Sequence, residues 1–198
     1  MAHRDRPRGQ VRIVAGSLRN SRIDVPDAPG LRPTPDRVRE TLFNWLAPEI
    51  DGARCLDLFA GTGALGIEAL SRGAGHCTFV EADARLAAAL RATLARLKVA
   101  NAEVRNEPAE RFLAAAASPF DVVFVDPPFA QSLWASSLDA LQSRGWLKPV
   151  ALVYVEAPVG TEPGVPAGWT LHRESRAGDV RFALYRASRG LPAGAGLG

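Results

Sequence analysis

The stretch CLDLFAGTGALG, residues 55–66, runs from a short apolar segment through a glycine-rich turn into a helical pattern. Gly61, Gly63 and Gly66 satisfy the spacing G-x-G-x-x-G, in which glycines permit a tight turn and a close approach of the backbone to a ligand. Glu81 lies 20 residues after Gly61 at the end of the next apolar segment, where an acid accepts ribose hydroxyls. The stretch predicts a nucleotide-binding α/β fold; the alternative is a turn whose glycines serve packing alone.

The segments around this turn alternate between short apolar strands and amphipathic helices. Strands are expected near residues 54–58, 77–81, 102–105, 120–125 and 150–155. Helices are expected near residues 63–72, 84–98, 107–117 and 132–143. Such alternation implies right-handed crossovers and a mostly parallel sheet with helices on both faces.

The N-terminal segment has a different pattern. Residues 11–30 begin with VRIVAGSLRNSRIDV, whose alternation predicts a small β-extension. In LRPTPDRVRETLFNWLA, residues 31–47, a helix is expected to start near Thr34, which would be its N-cap, with Asp36 at the positive helix end. Its predicted apolar face consists of Val38, Leu42, Trp45 and Leu46.

The C-terminal segment changes to strand-like periodicity. WTLHRES and VRFALYR flank RAGD, which predicts an antiparallel hairpin turning at Gly178. The expected organisation is a basic flexible arm at residues 1–10, one domain at residues 11–187 and a flexible tail at residues 188–198.

The composition is typical of a soluble protein with one domain. The chain has 198 residues, 47% of them hydrophobic, and a mean hydropathy of -0.03. No apolar run approaches the roughly 20 residues of a membrane span, and the N-terminus lacks the apolar segment of a signal peptide, so a cytoplasmic location is expected. Cys55 and Cys77 are expected to be buried thiols, and the three separated histidines predict no metal site.

Positive charge is concentrated near the N-terminus, although the formal net charge is only +3. Residues 1–22 contain a single acid, Asp5, and six arginines: Arg4, Arg6, Arg8, Arg12, Arg19 and Arg22. This clustering predicts a polyanionic partner, since the arginine fork suits phosphate. A GC-rich genome is the alternative explanation for the preference for arginine over lysine.

Asp57 distinguishes between two nucleotide cofactors. It ends its strand four residues before Gly61, so its carboxylate is expected directly under the glycine turn. A carboxylate there would repel a pyrophosphate but would attract the ammonium group of S-adenosylmethionine. Glu81 would then accept both ribose hydroxyls. Asp57 therefore favours S-adenosylmethionine over NAD, although Phe59 stands where the general methyltransferase pattern has its first glycine.

The stretch FDVVFVDPPF, residues 120–129, ends a buried strand on Asp126, Pro127, Pro128 and Phe129. The Asp126 carboxylate and the Pro127 carbonyl are suited to accept the two N–H groups of an exocyclic amine, which frees its lone pair for methylation. The prolines restrict the loop, and Phe129 is suited to stack on a base. The alternative is a plain turn in which Asp126 caps the next helix and Phe129 packs in the core.

Several segments together resemble one protein family. They are VRIVAG, LRPTPDRVRETLFNWL, CLDLFAGTGALGIEALSRGA, FVEAD, FDVVFVDPPF and RAGDVRFALYR. Over about residues 11–187 the chain resembles the RsmD family, which comprises bacterial S-adenosylmethionine-dependent 16S rRNA guanine-N2 methyltransferases. The resemblance implies an α/β fold of the Rossmann-like class I methyltransferase type, with a seven-stranded sheet, the C-terminal hairpin and the small N-terminal β-extension.

The resemblance also implies roles for individual residues. Those expected to bind the cofactor are Asp57, Gly61, Gly63, Glu81, Ala109 and Thr34. Those expected to hold the guanine are Asp126, Pro127, Pro128 and Phe129. Ala109 would act through its backbone N–H, because Pro108 replaces the usual polar residue. The Arg32–Thr34 turn is expected near the methionine end of the cofactor or near the RNA; the alternative is an ordinary capped start of a helix. Arg39 is expected to be a solvated charge on that helix.

The sequence leaves the substrate open among exocyclic amines. Only 69 residues follow Phe129, too few for a large DNA-recognition domain, which favours a substrate recognised partly through its own folded shape, as RNA is. The resemblance implies 16S rRNA within the small ribosomal subunit or its assembly intermediate as the partner, and a monomer is the default expectation. Guanine N2, adenine N6 and cytosine N4 fit the same clamp, and the guanine assignment comes from the resemblance. Three rival functions are disfavoured by the sequence. Asp126 and the N-terminal arginines argue against methylation of a protein glutamine amide, the intact set of Asp57, Glu81 and Asp126 argues against RNA binding without catalysis, and Asp57 argues against NAD-dependent oxidoreduction.

Overall fold

The computed structural model describes residues 9–28, 31 and 33–188. Of the predicted arm and tail, residues 1–8 and 189–198 lie outside this described part. The strands are β1 (Gly9–Arg12), β2 (Arg22–Val25), β3 (Arg54–Asp57), β4 (His76–Val80), β5 (Ala102–Arg105), β6 (Phe120–Val125), β7 (Leu147–Pro158), β8 (Trp169–Ala177) and β9 (Val180–Ser188). The helices are α1 (Asp36–Leu46), α2 (Ala64–Ser71), α3 (Ala84–Arg96), α4 (Ala109–Ala114) and α5 (Trp134–Ser143). A 3-10 turn spans Phe129–Gln131.

Seven strands form one sheet in the order β5-β4-β3-β6-β7-β9-β8. The strands from β5 to β7 are parallel, whereas β9 is antiparallel to both β7 and β8. The hairpin between β8 and β9 turns at Gly178, whose φ of 58° is the left-handed conformation that glycine accommodates. The predicted α/β fold and the C-terminal hairpin are thus confirmed. The strand order reverses between β3 and β6, which is where open α/β sheets bind ligands.

The central strands β3, β4 and β6 are buried on both faces, as their continuous apolar runs predict, whereas the edge strands β5 and β8 are largely exposed. One face packs against α1, α2, α3 and the β1–β2 hairpin, with Phe43 and Phe124 in ring contact at 5.9 Å. The other face packs against α4 and α5, with Trp146 stacked on Phe112 at 4.6 Å. Cys55 and Cys77 are buried free thiols, as predicted.

The N-terminal hairpin is a separate two-stranded antiparallel sheet that docks on α2. The two carboxylate oxygens of Glu68 accept the backbone N–H groups of Val14 at 2.9 Å and Ala15 at 3.0 Å. The Ser71 hydroxyl accepts the N–H of Leu18 at 2.9 Å. These bonds pair backbone donors of a half-buried loop with side chains of α2, so they fix the extension to the main domain.

The prediction that Arg39 is a solvated charge is wrong, because its side chain has no solvent exposure. Its guanidinium contacts the carboxylate of Asp36 and lies 3.5 Å from that of Glu68. It also donates to the carbonyls of Arg12 at 2.7 Å and Thr34 at 3.2 Å. A buried carboxylate requires a nearby cation, and Glu68 on α2 draws Arg39 inward from α1.

The prediction that the Thr34 side chain caps α1 is also wrong. Pro35 occupies the N-cap position and no side chain caps the helix. Thr34 is buried, and its carbonyl accepts Arg39 instead. The helix otherwise follows the predicted face, although Trp45 is only half-buried, where it stacks on Phe182 at 5.5 Å.

Within the described ranges, no helix combines the length and the apolar character needed to cross a bilayer.

Candidate active site

The glycine turn leads from β3 into α2 at the carboxyl edge of the sheet. Gly61 and Gly63 have φ values of 52° and 77°, a conformation that other residues rarely adopt. A Cβ at Gly63 would also lie 2.4 Å from Leu90 Cδ1, and one at Gly66 would lie 2.3 Å from the Phe79 ring. Gly61 and Gly63 thus allow the left-handed backbone of the turn, and Gly66 allows α2 to pack closely on β4.

Glu81 is bound to the glycine turn through its side chain. Its Oε2 accepts the Gly61 N–H at 2.8 Å, and its Oε1 accepts the Asp83 N–H at 2.8 Å. Asn106 donates to the Glu81 carbonyl at 2.9 Å, which links the end of β5 to the same turn. Each carboxylate oxygen retains a lone pair for a further donor such as a ribose hydroxyl.

Asp57 lies beneath the turn and is almost fully buried. Its Oδ2 accepts the Gly66 N–H at 3.0 Å. Burial raises the pKa of Asp57 to about 7, with Glu81 adding to the increase and the Gly66 hydrogen bond opposing it. Burial disfavours the charged form of this carboxyl group, and an ammonium group beside it would stabilise that form. The site therefore favours a cationic ligand.

The Asp126–Phe129 segment follows β6 at the same edge of the sheet. Asp126 is half-buried, and the Phe129 side chain is 43% exposed. Burial raises the pKa of Asp126 well above its ordinary range, and the carboxylates of Glu156 and Asp57 raise it further. The interpretation of this segment as a plain capped turn is wrong, because α5 has no side-chain cap and Phe129 lies outside the core.

Phe129 is positioned by a neighbouring aromatic ring. Its centroid lies 5.9 Å from that of Trp134, the buried first residue of α5. Trp134 Nε1 donates to the Glu156 carbonyl on β7 at 2.7 Å. The exposed face of Phe129 is therefore supported from behind by a ring that is itself anchored to the sheet.

The strand register brings together acids that are far apart in sequence. Asp57 pairs with Phe124, and Phe124 pairs with Tyr154, so these three residues form one row across β3, β6 and β7. Asp126 and Glu156 lie two residues further along their strands, nearer the carboxyl edge. Sequence reasoning missed Glu156 and Tyr154; the signal was a single acid in the otherwise apolar run ALVYVEA.

The other predicted cofactor contacts lie at two separate places. Ala109 is buried at the start of α4, and its N–H donates to no group in the part of the chain that the structure describes. That donor is available to a ligand. Thr34 lies beside a pocket of about 350 Å³ between the N-terminal hairpin and the start of α1, and none of Asp57, Glu81 or Asp126 lines this pocket. The role of Thr34 stays a prediction.

The predicted RNA-binding arginines divide into two sets. Arg12, Arg19 and Arg22 are exposed on the N-terminal hairpin. Arg12 lies 3.5 Å from the Asp36 carboxylate, and Arg22 donates to the Gln10 side chain at 3.0 Å. Arg4, Arg6, Arg8 and Arg32 lie outside the described residues.

The site fits S-adenosylmethionine in its donor and acceptor chemistry. Asp57 and Glu81 provide carboxylates at the ends of adjacent strands, and the Glu81 side chain is hydrogen-bonded to the glycine turn. Among the residues that the structure describes, no cluster of three or more His, Cys, Asp or Glu side chains is arranged to hold a metal ion. The residues therefore match a cationic nucleoside.

Comparison with known proteins agrees with this description. The sequence model of the family "Conserved hypothetical protein 95" matches residues 11–186. The protein named ribosomal RNA small subunit methyltransferase D from Escherichia coli K12 is 53% identical over 179 residues, covering 90% of each chain. The protein of the same name from Haemophilus influenzae is 46% identical over 183 residues, covering 90% of this chain and 95% of that one.

Solved structures show the same fold. The structure of yhhF from Escherichia coli has a TM-score of 0.86 at 49% identity and covers 92% of this chain and 100% of that chain. An RNA methyltransferase from Salinibacter ruber, in complex with S-adenosyl-L-homocysteine, has a TM-score of 0.62 at 20% identity, a likeness of fold alone, and covers 82% of this chain and 98% of that chain. With the family match and these relatives, the chain belongs to the RsmD family of S-adenosylmethionine-dependent rRNA methyltransferases, and it is an enzyme and not a non-catalytic module.

Proposed function

We propose that this protein transfers the methyl group of S-adenosylmethionine to the exocyclic N2 amine of a guanine in 16S rRNA. The observation that carries the proposal is the position of Asp126 at the end of β6, directly beside β3, which leads into Asp57 and the glycine turn. On this proposal, neighbouring parallel strands bring an acceptor for an amine beside the residues that bind the methyl donor, at the edge of the sheet where open α/β folds hold ligands.

The proposed cofactor contacts use groups at three strand ends. When bound, S-adenosylmethionine supplies an electrophilic methyl group on its sulfonium. On this proposal Asp57 accepts the ammonium group, Glu81 accepts the ribose hydroxyls, and the Ala109 N–H donates to the adenine. The left-handed turn at Gly61 and Gly63 is assigned the close approach of the backbone to the donor, and Thr34 is assigned to the methionine end of the donor.

The proposed chemistry depends on Asp126 and the carbonyl of Pro127. Each accepts one N–H of the amine, which draws the nitrogen toward tetrahedral geometry and frees its lone pair. As the N–C bond forms and the S–C bond of the donor breaks, one proton leaves the nitrogen and the Asp126 carboxylate accepts it. Pro128 limits the motion of the loop, and stacking of the base on Phe129 contributes roughly 1–3 kcal/mol.

Support for an rRNA substrate comes from the relatives and from the charge of the N-terminal hairpin. The Escherichia coli and Haemophilus influenzae relatives are named as methyltransferases of the small-subunit ribosomal RNA. Arg12, Arg19 and Arg22 are exposed together on one docked hairpin, which suits a folded polyanion. We infer that a cytoplasmic monomer acts on the small subunit or its assembly intermediate, and not on DNA or at a membrane.

The proposal is tested by offering labelled S-adenosylmethionine and the purified protein to several acceptors. These are small ribosomal subunits, naked 16S rRNA, tRNA, DNA and a protein extract. We expect label in the small subunit or its RNA, and digestion to nucleosides should yield N2-methylguanosine. Label in N6-methyladenosine, in a methylated cytosine or in a protein glutamine would overturn the guanine assignment, and absence of label in every acceptor would overturn the proposal as a whole.

A further inference from the structure

Glu156 lies beside Asp126 at the carboxyl edge of the sheet. Val125, the last residue of β6, pairs with Val155 of β7, so Asp126 directly after β6 lies next to Glu156 on β7. Adjacent strands lie about 4.8 Å apart, which brings the two side chains to one site. Only 7% of Glu156 is exposed, although a buried acid in the middle of an apolar strand is costly.

The side chain of Glu156 has one defined hydrogen bond and one available oxygen. Its Oε2 accepts the Tyr154 hydroxyl at 2.8 Å. No other hydrogen bond to its carboxylate is formed within residues 9–28, 31 and 33–188. Tyr154 is itself buried, so it holds the carboxylate in one orientation and leaves Oε1 as an acceptor for another donor.

Glu156 is also joined to the proposed base platform through its backbone. Its carbonyl accepts Trp134 Nε1 at 2.7 Å, and the Trp134 ring contacts Phe129. The residue therefore lies between the side chain proposed to grip the amine and the ring proposed to stack on the base. None of the chemistry derived above uses its carboxylate.

The exocyclic amines of the three candidate bases differ in the atom beside them. In guanine, N2 is flanked by N1–H, which is a donor. In adenine and cytosine, the ring nitrogen next to the amine on the base-pairing edge is an acceptor; it is N1 in adenine and N3 in cytosine. An enzyme that extrudes a base reads this edge through hydrogen bonds, so an additional acceptor beside the amine clamp selects guanine.

We propose that Glu156 is a specificity-determining residue whose Oε1 accepts the N1–H of the target guanine while Asp126 accepts the N2 amine. This inference rests on the proposed function. Guanine brings donors to both carboxylates and so relieves the repulsion between them. Adenine or cytosine would instead direct a ring lone pair at Glu156 and leave a buried carboxylate unpaired.

The test compares guanine with 2-aminopurine at the target position of a synthetic RNA, once that position has been mapped with the wild-type protein. 2-Aminopurine keeps the amine but has an acceptor at N1 and lacks the carbonyl oxygen O6. We expect the wild-type enzyme to prefer guanine by at least about 100-fold in kcat/KM, because a site built for a donor rejects an analogue that lacks it.

Three variants separate recognition of N1 from the effect of the missing carbonyl oxygen O6. Glu156→Gln and Glu156→Ala should reduce the guanine preference by about 10-fold or more, with unchanged affinity for S-adenosylmethionine. Tyr154→Phe, which removes the orienting hydroxyl, should reduce the preference by a smaller factor. Glu162→Gln, at an exposed acid on the loop after β7, is the matched control and should keep the full preference.

Two outcomes would overturn the inference. One is a wild-type enzyme that methylates 2-aminopurine as efficiently as guanine, a result that depends on no variant and so does not require that any variant folds. The other is a folded Glu156→Ala enzyme with an unchanged preference, because alanine leaves no acceptor for N1–H. Failure of the proposed function itself is distinguishable, because the wild-type protein would then yield a product other than N2-methylguanosine.

Discussion

Arg39 Nη1 lies 3.5 Å from Glu68 Oε2, and neither side chain has any solvent exposure. Glu68 also accepts two backbone N–H groups of the N-terminal extension and the Nε of Arg72 at 2.9 Å. The pair therefore joins three parts of the molecule: α1, α2 and the hairpin that carries the exposed arginines. The ion pair therefore fixes the positions of α1, α2 and the hairpin relative to one another.

Replacing Arg39 by methionine should destabilise the protein strongly. The change leaves the buried Glu68 carboxylate without its α1 partner and removes the donor to the carbonyls of Arg12 and Thr34. Breaking one side of a buried ion pair typically costs about 3–5 kcal/mol in the free energy of unfolding, which urea denaturation measures. Arg37→Met, on the exposed face of the same helix, is the control and should change it by less than about 0.5 kcal/mol. Equal effects of the two changes would contradict this account of Arg39.

Affinity for S-adenosylmethionine should rise as the pH rises through about 7, where Asp57 ionises in the free protein. The ammonium group of the ligand requires the charged carboxylate, so binding below this pH must first remove a proton from Asp57. The same elevated pKa means that burial of Asp57 favours the folded state at low pH and that this advantage is lost as pH rises through about 7.

Calorimetric titrations at about pH 6 and about pH 7.5 test this prediction. The Asp57→Asn variant should bind more weakly and should lose the pH dependence, whereas Asp51→Asn, at an exposed acid, should retain both the affinity and the pH dependence. A wild-type affinity that is constant over this interval would show that Asp57 does not contact the ammonium group.

Asp126→Ala should abolish methyl transfer and leave binding of S-adenosylmethionine nearly intact. Loss of a group that stabilises developing charge lowers kcat by about 10²–10³-fold, and Asp126 has the additional role of proton acceptor. Single-turnover transfer to rRNA and calorimetric binding of the cofactor separate the two effects. Asp139→Ala, at an exposed acid of α5, provides the control. Full activity of the Asp126 variant would exclude the proposed grip on the amine.

Replacing Arg12, Arg19 and Arg22 together by glutamine should weaken RNA binding and reduce its dependence on salt. Each lost phosphate contact should lower the slope of log K against log salt by about 0.7 to 0.9. The comparison is with a double replacement of Arg173 and Arg176, which are exposed on β8. A wild-type slope in the triple variant would show that the hairpin does not contact phosphate. The same measurement on a variant of Arg4, Arg6 and Arg8 extends the test to the N-terminal arm.

The sequence predicted correctly those parts of the fold that depend on residues close together in the chain. Apolar runs of strand length, the turn at Gly61 and the hairpin at Gly178 are each set by residues adjacent in the chain, and the structure has them where they were expected. The predicted helix at residues 107–117 is shorter, because Ala115 is already extended on the way into β6. The alanine run favours a helix, but Ser118 precedes Pro119, which disfavours helical backbone.

The errors concern residues whose partners are distant in sequence. Arg39 has the spacing of an ordinary helix charge, and only the packing of α2 against α1 reveals that its partner is Glu68. Glu156 shares a strand with Tyr154, but its position beside Asp126 is a matter of strand register, which spacing along the chain does not encode. The position of an acid at the end of a single strand could therefore be predicted from sequence. The grouping of acids across β6 and β7 could not, because it depends on how the two strands pair.

The hydrogen bond between Glu81 and Gly61 has a consequence for turnover. Because it fixes the left-handed backbone of the turn without any ligand, binding need not order that segment, a cost that would otherwise be roughly 1–2 kcal/mol for each residue. On the proposed function, a turn that is already ordered for the methyl donor is equally ordered for the demethylated product, which keeps the nucleoside and amino-acid ends of the donor. We therefore expect S-adenosylhomocysteine to be a competitive inhibitor whose release, and not the chemical step, limits the rate at which the enzyme moves from one RNA to the next.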